Sequence, residues 1–277
     1  MKQRPKPTFI LLTAVATLAT ACGDDTAAGE TEAGSADPAD TAHDLDDATS
    51  SPSATSGNAD ATATTGERAD CTDQMILDLG LVDGAVSTGT ATNEPDGDGF
   101  VSTVDGTAGG VANAPTSPWL YLRFTAAGLE RVDVDDLQAL ESTDWDIAVK
   151  RFGVRLNSGV SGPGDVTAAV VGDMSYEAIT GLPDTTSLRE ESLYDDDCIL
   201  RDDGMGQGAP GYLLTPWWMY GGCVQTTGIP FVLELADGSR LKFVVDAYYG
   251  EGQDACNSTG AMGSGSAMFT WRWAYLS

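Results

Sequence analysis

His43 is the only histidine in the chain, and it lies outside the region rich enough in large apolar residues to fold. A Ser-His-Asp triad, a Cys-His dyad and a histidine-ligated zinc are therefore excluded from that region. Of the five cysteines, Cys22 stands apart near the N-terminus, while Cys71, Cys198, Cys223 and Cys256 fall in the apolar part. An even count in a secreted domain reads as two disulfides with three possible pairings. The pairing expected is Cys198–Cys223, closing a Gly-rich loop, with Cys71–Cys256 tying the domain's start near its end. No CxxC pair and no neighbouring histidine supports zinc instead.

Carboxylates are plentiful, with 42 Asp and Glu, but no pair announces acid–base work by its spacing. Asn93-Glu-Pro-Asp-Gly-Asp-Gly99 is like a fragment of a calcium loop and lacks the downstream bidentate Glu. Asp195-Asp196-Asp197 with Asp202-Asp203 is a second acidic group able to meet Ca²⁺. Both read better as solvated turns. The expectation is a binding protein and not an enzyme. Catalysis would need a carboxylate pair in a cleft with pKa values pushed apart.

The elements that must carry these residues begin with a leader. Lys2, Arg4 and Lys6 precede the apolar run Phe9 to Leu18, then Ala19-Thr20-Ala21 and Cys22. That order is a secretory signal over 1–21, too short to span a bilayer as a mature helix. A cysteine closing the small-residue run points to lipidation of Cys22, although Leu18 sits four residues before it and Ala19 holds the place three before. Residues 22–70 read as a tether: Ala, Thr, Ser, Gly and Asp predominate, and 12 acids face one base, Arg68. Such a stretch cannot bury enough apolar surface to offset its ordering entropy, and self-repulsion extends it.

The formal charge is −28, with +3 in the signal, −11 in the tether and −20 in residues 71–277. So acidic a domain is unsuited to nucleic acid, because it has little with which to replace counterions on phosphates. Anionic lipid would repel it as well, which leaves membrane attachment to the acyl anchor alone.

Residues 71–277 amount to one domain of short strands, an all-β fold with few short helices. Trp119-Leu-Tyr-Leu-Arg-Phe124 carries large residues on both faces. Asp144 to Arg151 puts Trp145, Ile147 and Val149 on one face and Asp144, Asp146 and Lys150 on the other, and Phe152, Val154 and Leu156 continue it to the turn Asn157-Ser-Gly159. Phe231–Leu235 and Arg240–Asp246 flank Asp237-Gly238, the signature of a tight hairpin. Phe269, Trp271, Trp273 and Tyr275 share one face of a last strand and read as sheet core before ligand wall. Helical turns are expected over 133–141 and 173–180, and from Thr215-Pro216 toward Tyr220. The Gly- and Asp-rich stretch 157–215 reads as functional loop.

Ser142-Thr-Asp-Trp-Asp-Ile-Ala-Val-Lys-Arg-Phe-Gly-Val-Arg-Leu-Asn-Ser-Gly159 resembles the HmuY family of haem-binding surface lipoproteins. So do Leu235-Ala-Asp-Gly-Ser-Arg-Leu-Lys-Phe-Val-Val-Asp-Ala-Tyr-Tyr249, the aromatic strand Phe269 to Tyr275 and the segment Trp217-Trp218-Met219-Tyr220. The resemblance covers most of residues 71–277 in order. It implies a single HmuY-like β domain on a lipid-anchored chain at the outer membrane, facing the cell exterior. Its cofactor would be haem, and its partner an outer-membrane receptor in iron acquisition.

The family's best-known member grips haem iron with two histidines, and this domain has none. Some relatives use methionine pairs, and thioether is a suitable axial ligand. The methionines in the corresponding stretch are Met174, Met205 and Met219, with Trp217, Trp218 and Tyr220 as walls against the porphyrin. The alternative keeps the fold and drops the haem: a binding module for another small ligand or a protein partner, with exposed tryptophans as contacts.

Overall fold

A computed structural model describes residues 71–205 and 209–277; the signal segment, Cys22, His43 and the tether lie outside the described residues. Three short helices, α1 (Thr72–Asp78), α2 (Asp136–Ala139) and α3 (Gln253–Thr259), accompany twelve described strands. In chain order these are β1 (Ala91–Asp96), β2 (Gly99–Asp105), β3 (Leu120–Thr125), β4 (Gly128–Val132), β5 (Ile147–Lys150) and β6 (Gly153–Leu156). There follow β7 (Thr167–Val170), β8 (Trp218–Tyr220), β9 (Val224–Thr226), β10 (Phe231–Glu234), β11 (Arg240–Glu251) and β12 (Ser264–Tyr275). All pairings are antiparallel. A six-stranded sheet runs β1-β2-β12-β11-β10-β7, a four-stranded sheet runs β4-β3-β5-β6, and β8-β9 form a separate ribbon. None of the described helices is long and apolar enough to cross a membrane.

The two large sheets share one core. Phe231, Phe243, Trp271 and Trp273 from the first meet Leu122, Phe124, Ile147 and Val154 from the second. Phe124 bridges them, its ring 4.9 Å from Trp273 and 6.4 Å from Phe243. The aromatic stripe of β12 is thus core as expected, with Phe269, Trp271 and Trp273 fully buried. β3 carries large residues on both faces because both are covered: Leu120, Leu122 and Phe124 enter this core, while Trp119 and Tyr121 enter a second one beneath α1. In that second core Cys71, Met75 and Leu79 recur every four residues, one face of the α1 helix, against Leu193 and Tyr194. At seven residues α1 is too short to show as a periodic pattern, and packing rather than propensity holds it.

Several local expectations are corrected. Trp145 does not share a face with Ile147 and Val149; it lies in the second core, and β5 starts only at Ile147. Asp146 is buried rather than solvated, because its carboxylate accepts the amide of Phe124 at 2.8 Å. The Asp237-Gly238 turn is not a two-residue hairpin. Leu235 and Ser239 close a three-residue loop with only Gly238 left-handed (φ 81°), while Asp237 accepts the Ser239 amide and hydroxyl. The helix expected over 133–141 shortens to α2, capped by Asp135. Those at 173–180 and from Thr215 shrink to single 3-10 turns, Tyr176–Ala178 and Thr215–Trp217, the latter running straight into β8.

The disulfide pairing is also corrected. The bonds are Cys71–Cys198 and Cys223–Cys256, not Cys198–Cys223 and Cys71–Cys256. Layering explains the exchange: Cys71 and Cys198 both pack in the core under α1, whereas Cys223 and Cys256 belong to the core between the sheets. The acidic groups form turns: Asp195 accepts the amides of Asp197 and Ile199, and Asp202 and Asp203 accept those of Gly204 and Met205. No cluster of three or more His, Cys, Asp or Glu able to hold a metal occurs among the described residues.

Candidate functional site

The β8-β9 ribbon forms no ladder with the large sheets but packs through β9 on β11 and α3, and between it, α1 and the β5-β6 turn lies a cavity of about 630 Å³. Trp218, Tyr220 and Val224 come from the ribbon, Leu77 from α1 and Leu79 from its C-cap, Tyr248 and Tyr249 from β11. The rim carries Val111 and Met262. Leu77 and Val111 are each 74% exposed and Met262 69%. Three large apolar side chains left in water around one opening mark a surface awaiting a ligand or partner.

Consecutive residues of a strand normally face opposite ways, yet Tyr248 and Tyr249 both enter the core and both line the cavity. Register shifts in the β11-β12 pairing between Val245 and Tyr249 make this possible. The irregularity would leave amides unpaired, and the buried side chain of Gln253 meets them. Its Oε1 accepts from Tyr248 N at 2.8 Å and Tyr249 N at 3.2 Å, while its Nε2 donates to the Val224 carbonyl. The two-turn α3 thereby fixes the aromatic wall and the ribbon together, and Cys223–Cys256 does so covalently. On the opposite side Cys71–Cys198 pins the start of α1.

The floor is cationic. Lys150 Nζ donates to the carbonyls of Gly80 and Ser117 at 2.9 and 3.0 Å and sits 5.6 Å from the centre of the Trp119 ring. Burial lowers its pKa to about 8, against a raising effect from Asp136. Arg151 donates to the Thr107 and Ser266 carbonyls, to Ser266 Oγ at 2.9 Å and to the Tyr248 hydroxyl. Neither cation belongs to any of the five ion pairs formed among the described residues.

Beneath the floor lies a buried polar network. Arg155 packs its guanidinium 5.0 Å from the Trp119 and Trp145 rings and donates to Tyr121 Oη at 2.6 Å; Tyr121 in turn donates to Asp136. Asp136 also accepts the amides of Val82 and Trp119, which hold the α1 exit against β3. Glu191 accepts the Leu156 and Leu213 amides, and complete burial pushes its carboxyl up to about 7. Arg155, Asp136 and Glu191 line no part of the cavity and fix its walls from behind.

The expected site residues divide. Trp218 and Tyr220 line the cavity; Trp217 is buried behind it, 6.0 Å from both Trp218 and Tyr248. Neither Trp217 nor Trp218 is exposed, so the tryptophans are not surface contacts. The three methionines are not brought together. Met174 packs near Val171 and Ile179, Met205 lines a separate cavity with Val170 and Tyr212, and Met219 is exposed on β8 outside the lining. The methionine at the cavity is Met262, in a Gly- and Ser-rich loop whose composition carries no site signal. Lys150 and Arg151 fall where the pattern reads as one continuous strand from Asp144 to Leu156; the chain instead turns back at Arg151-Phe152, pairing β5 with β6. Tyr248 and Tyr249 lie beyond the strand expected over Arg240–Asp246, which extends to Glu251.

No family model matches the chain, and no curated protein does. Solved structures to which it is similar include HmuY-like proteins and a lipoprotein. A Bacteroides vulgatus protein described as HmuY-like and haem-binding shares 17% identity, covering 68% of this chain and 98% of that one, with a TM-score of 0.41. A Bacteroides fragilis lipoprotein shares 14% (68% and 95% covered, TM-score 0.42), and an apo HmuY analogue of Tannerella forsythia 15% (69% and 98%, TM-score 0.38). At such scores the likeness carries no weight for ligand or site, which rest on the residues above.

Proposed function

We propose that the domain is a haem-binding module, held at the outer membrane surface through Cys22 and its acidic tether, that passes haem to a receptor. The carrying observation is the cavity itself: an aromatic and aliphatic slot with an exposed apolar rim and two unpaired cations at its base, in a strongly acidic chain. A porphyrin presents a large flat apolar face and two carboxylates, and the two parts of the slot match the two parts of the ligand. For the iron, the donors among the lining residues include the thioether of Met262 and the phenols of Tyr212, Tyr220, Tyr248 and Tyr249. Met174, Met205 and Met219 have no place in this reading as cavity ligands.

The exposed rim of Leu77, Val111 and Met262 also favours a second reading, in which the opening docks another amphipathic ligand or a partner protein. Titration of the purified protein with haemin separates the two. A Soret band that sharpens and saturates at one equivalent is expected, and Met262→Ala is expected to shift it with binding retained. A spectrum indistinguishable from free haemin rules out haem and leaves the second reading.

A further inference from the structure

Arg151 sits at the first residue of the two-residue β5-β6 turn, between the paired Lys150 and Gly153, with a φ of 55°. That backbone region favours glycine, asparagine or aspartate, and a long side chain there is disfavoured. A residue kept in a disfavoured conformation points to a demand from its side chain. Here the side chain enters the cavity, where neutral groups alone hold it. Three of its four hydrogen bonds are 3.2–3.4 Å long, to the Thr107 and Ser266 carbonyls and the Tyr248 hydroxyl. These contacts orient the guanidinium without neutralising it, and long neutral hydrogen bonds yield readily to a charge-assisted one. The adjacent Lys150 adds a second positive charge in the same cavity.

We infer that Arg151, supported by Lys150, is a carboxylate clamp, and that the cavity selects apolar organic acids over neutral molecules of the same shape. This rests on the cavity being the ligand site. The apolar walls exclude water and so strengthen the ion pair, while the acidic exterior disfavours anions everywhere else. Arg is suited to this because its planar fork grips a carboxylate through two parallel bonds.

The test compares iron-free protoporphyrin IX, which has two free carboxylates, with its dimethyl ester, following tryptophan quenching in the native protein, Arg151→Gly and Arg151→Lys. Arg151→Gly relieves the turn while removing the charge, so its folding is expected to be intact, checked by its melting temperature. The native protein is expected to prefer the free acid by about tenfold or more. Arg151→Gly should weaken the free acid far more than the ester and lose most of the preference, with Lys150 left to supply the remainder, and Arg151→Lys should keep more of it. Equal binding of acid and ester by the native protein, or a preference undiminished in Arg151→Gly, overturns the clamp and leaves the cavity reading standing. Binding of neither porphyrin overturns the clamp together with the haem reading.

Discussion

Two aromatic runs, Phe269 to Tyr275 on β12 and Trp217 to Tyr220 at β8, look alike as sequence and end differently as structure. β12 lies between β2 and β11, twelve residues long, so its stripe is sealed between two sheets. β8 has three residues and one partner, and there Met219 and Tyr220 remain 50% and 47% exposed while Trp217 and Trp218 are buried. Aromatic content alone did not distinguish core from site. The number of strands covering the run did.

Breaking the buried run should have the largest effect. Trp271→Ala removes a fully buried indole and is expected to cost about 3–5 kcal/mol, enough to unfold much of the protein in a urea titration. Trp271→Phe should be far milder, since the indole Nε1 of Trp271 has no acceptor to lose.

Freeing the ribbon comes next. The double change Cys223→Ala and Cys256→Ala opens a link between residues 33 apart, worth roughly 2–4 kcal/mol. It should also weaken haemin binding, because Trp218 and Tyr220 lose their fixed distance from Tyr248. Loss of stability with unchanged affinity would separate the ribbon from the site.

The cavity and the buried network behind it also differ in what they titrate. Glu191 lies in the buried network, and its folded pKa of about 7 stands above the ordinary carboxyl value of 4.5. Its contribution to stability is therefore complete below 4.5 and disappears as pH rises through 7, a change of up to about 3 kcal/mol. Melting temperature should fall across that window in the native protein and fall less in Glu191→Gln. At the cavity floor Lys150 loses its charge as pH rises through about 8. Affinity for an anionic porphyrin should drop above that pH and not below it.

The smallest stability effect is expected at the exposed end of the ribbon. Tyr220→Ala should change stability by less than about 0.5 kcal/mol. It should still weaken haemin binding measurably, and an unchanged titration would remove Tyr220 from the site.

Much of the β framework was legible because burial on one face imposes a two-residue period, as in β11 and β12. β3 was legible too, its large residues on both faces signalling cover on both sides. The exceptions were local. Trp145 left its expected face because Asp146 was drawn inward by the amide of Phe124, and α1 and α3 were too short to show a helical period. At the site, Trp218 and Tyr220 were found by their neighbours in sequence. Lys150 and Arg151 were not, because a cation in a strand pattern looks like a solvated edge until the cavity above it is known.

Sequence by itself determined the all-β class, the absence of imidazole chemistry from the domain and the aromatic core strand, since composition and alternation are one-dimensional properties. Only the tertiary structure decided which cysteines meet, which methionine reaches the cavity and which cations stay unpaired. Those outcomes depend on the packing of layers whose members are as many as 127 residues apart, and no local pattern encodes such distances.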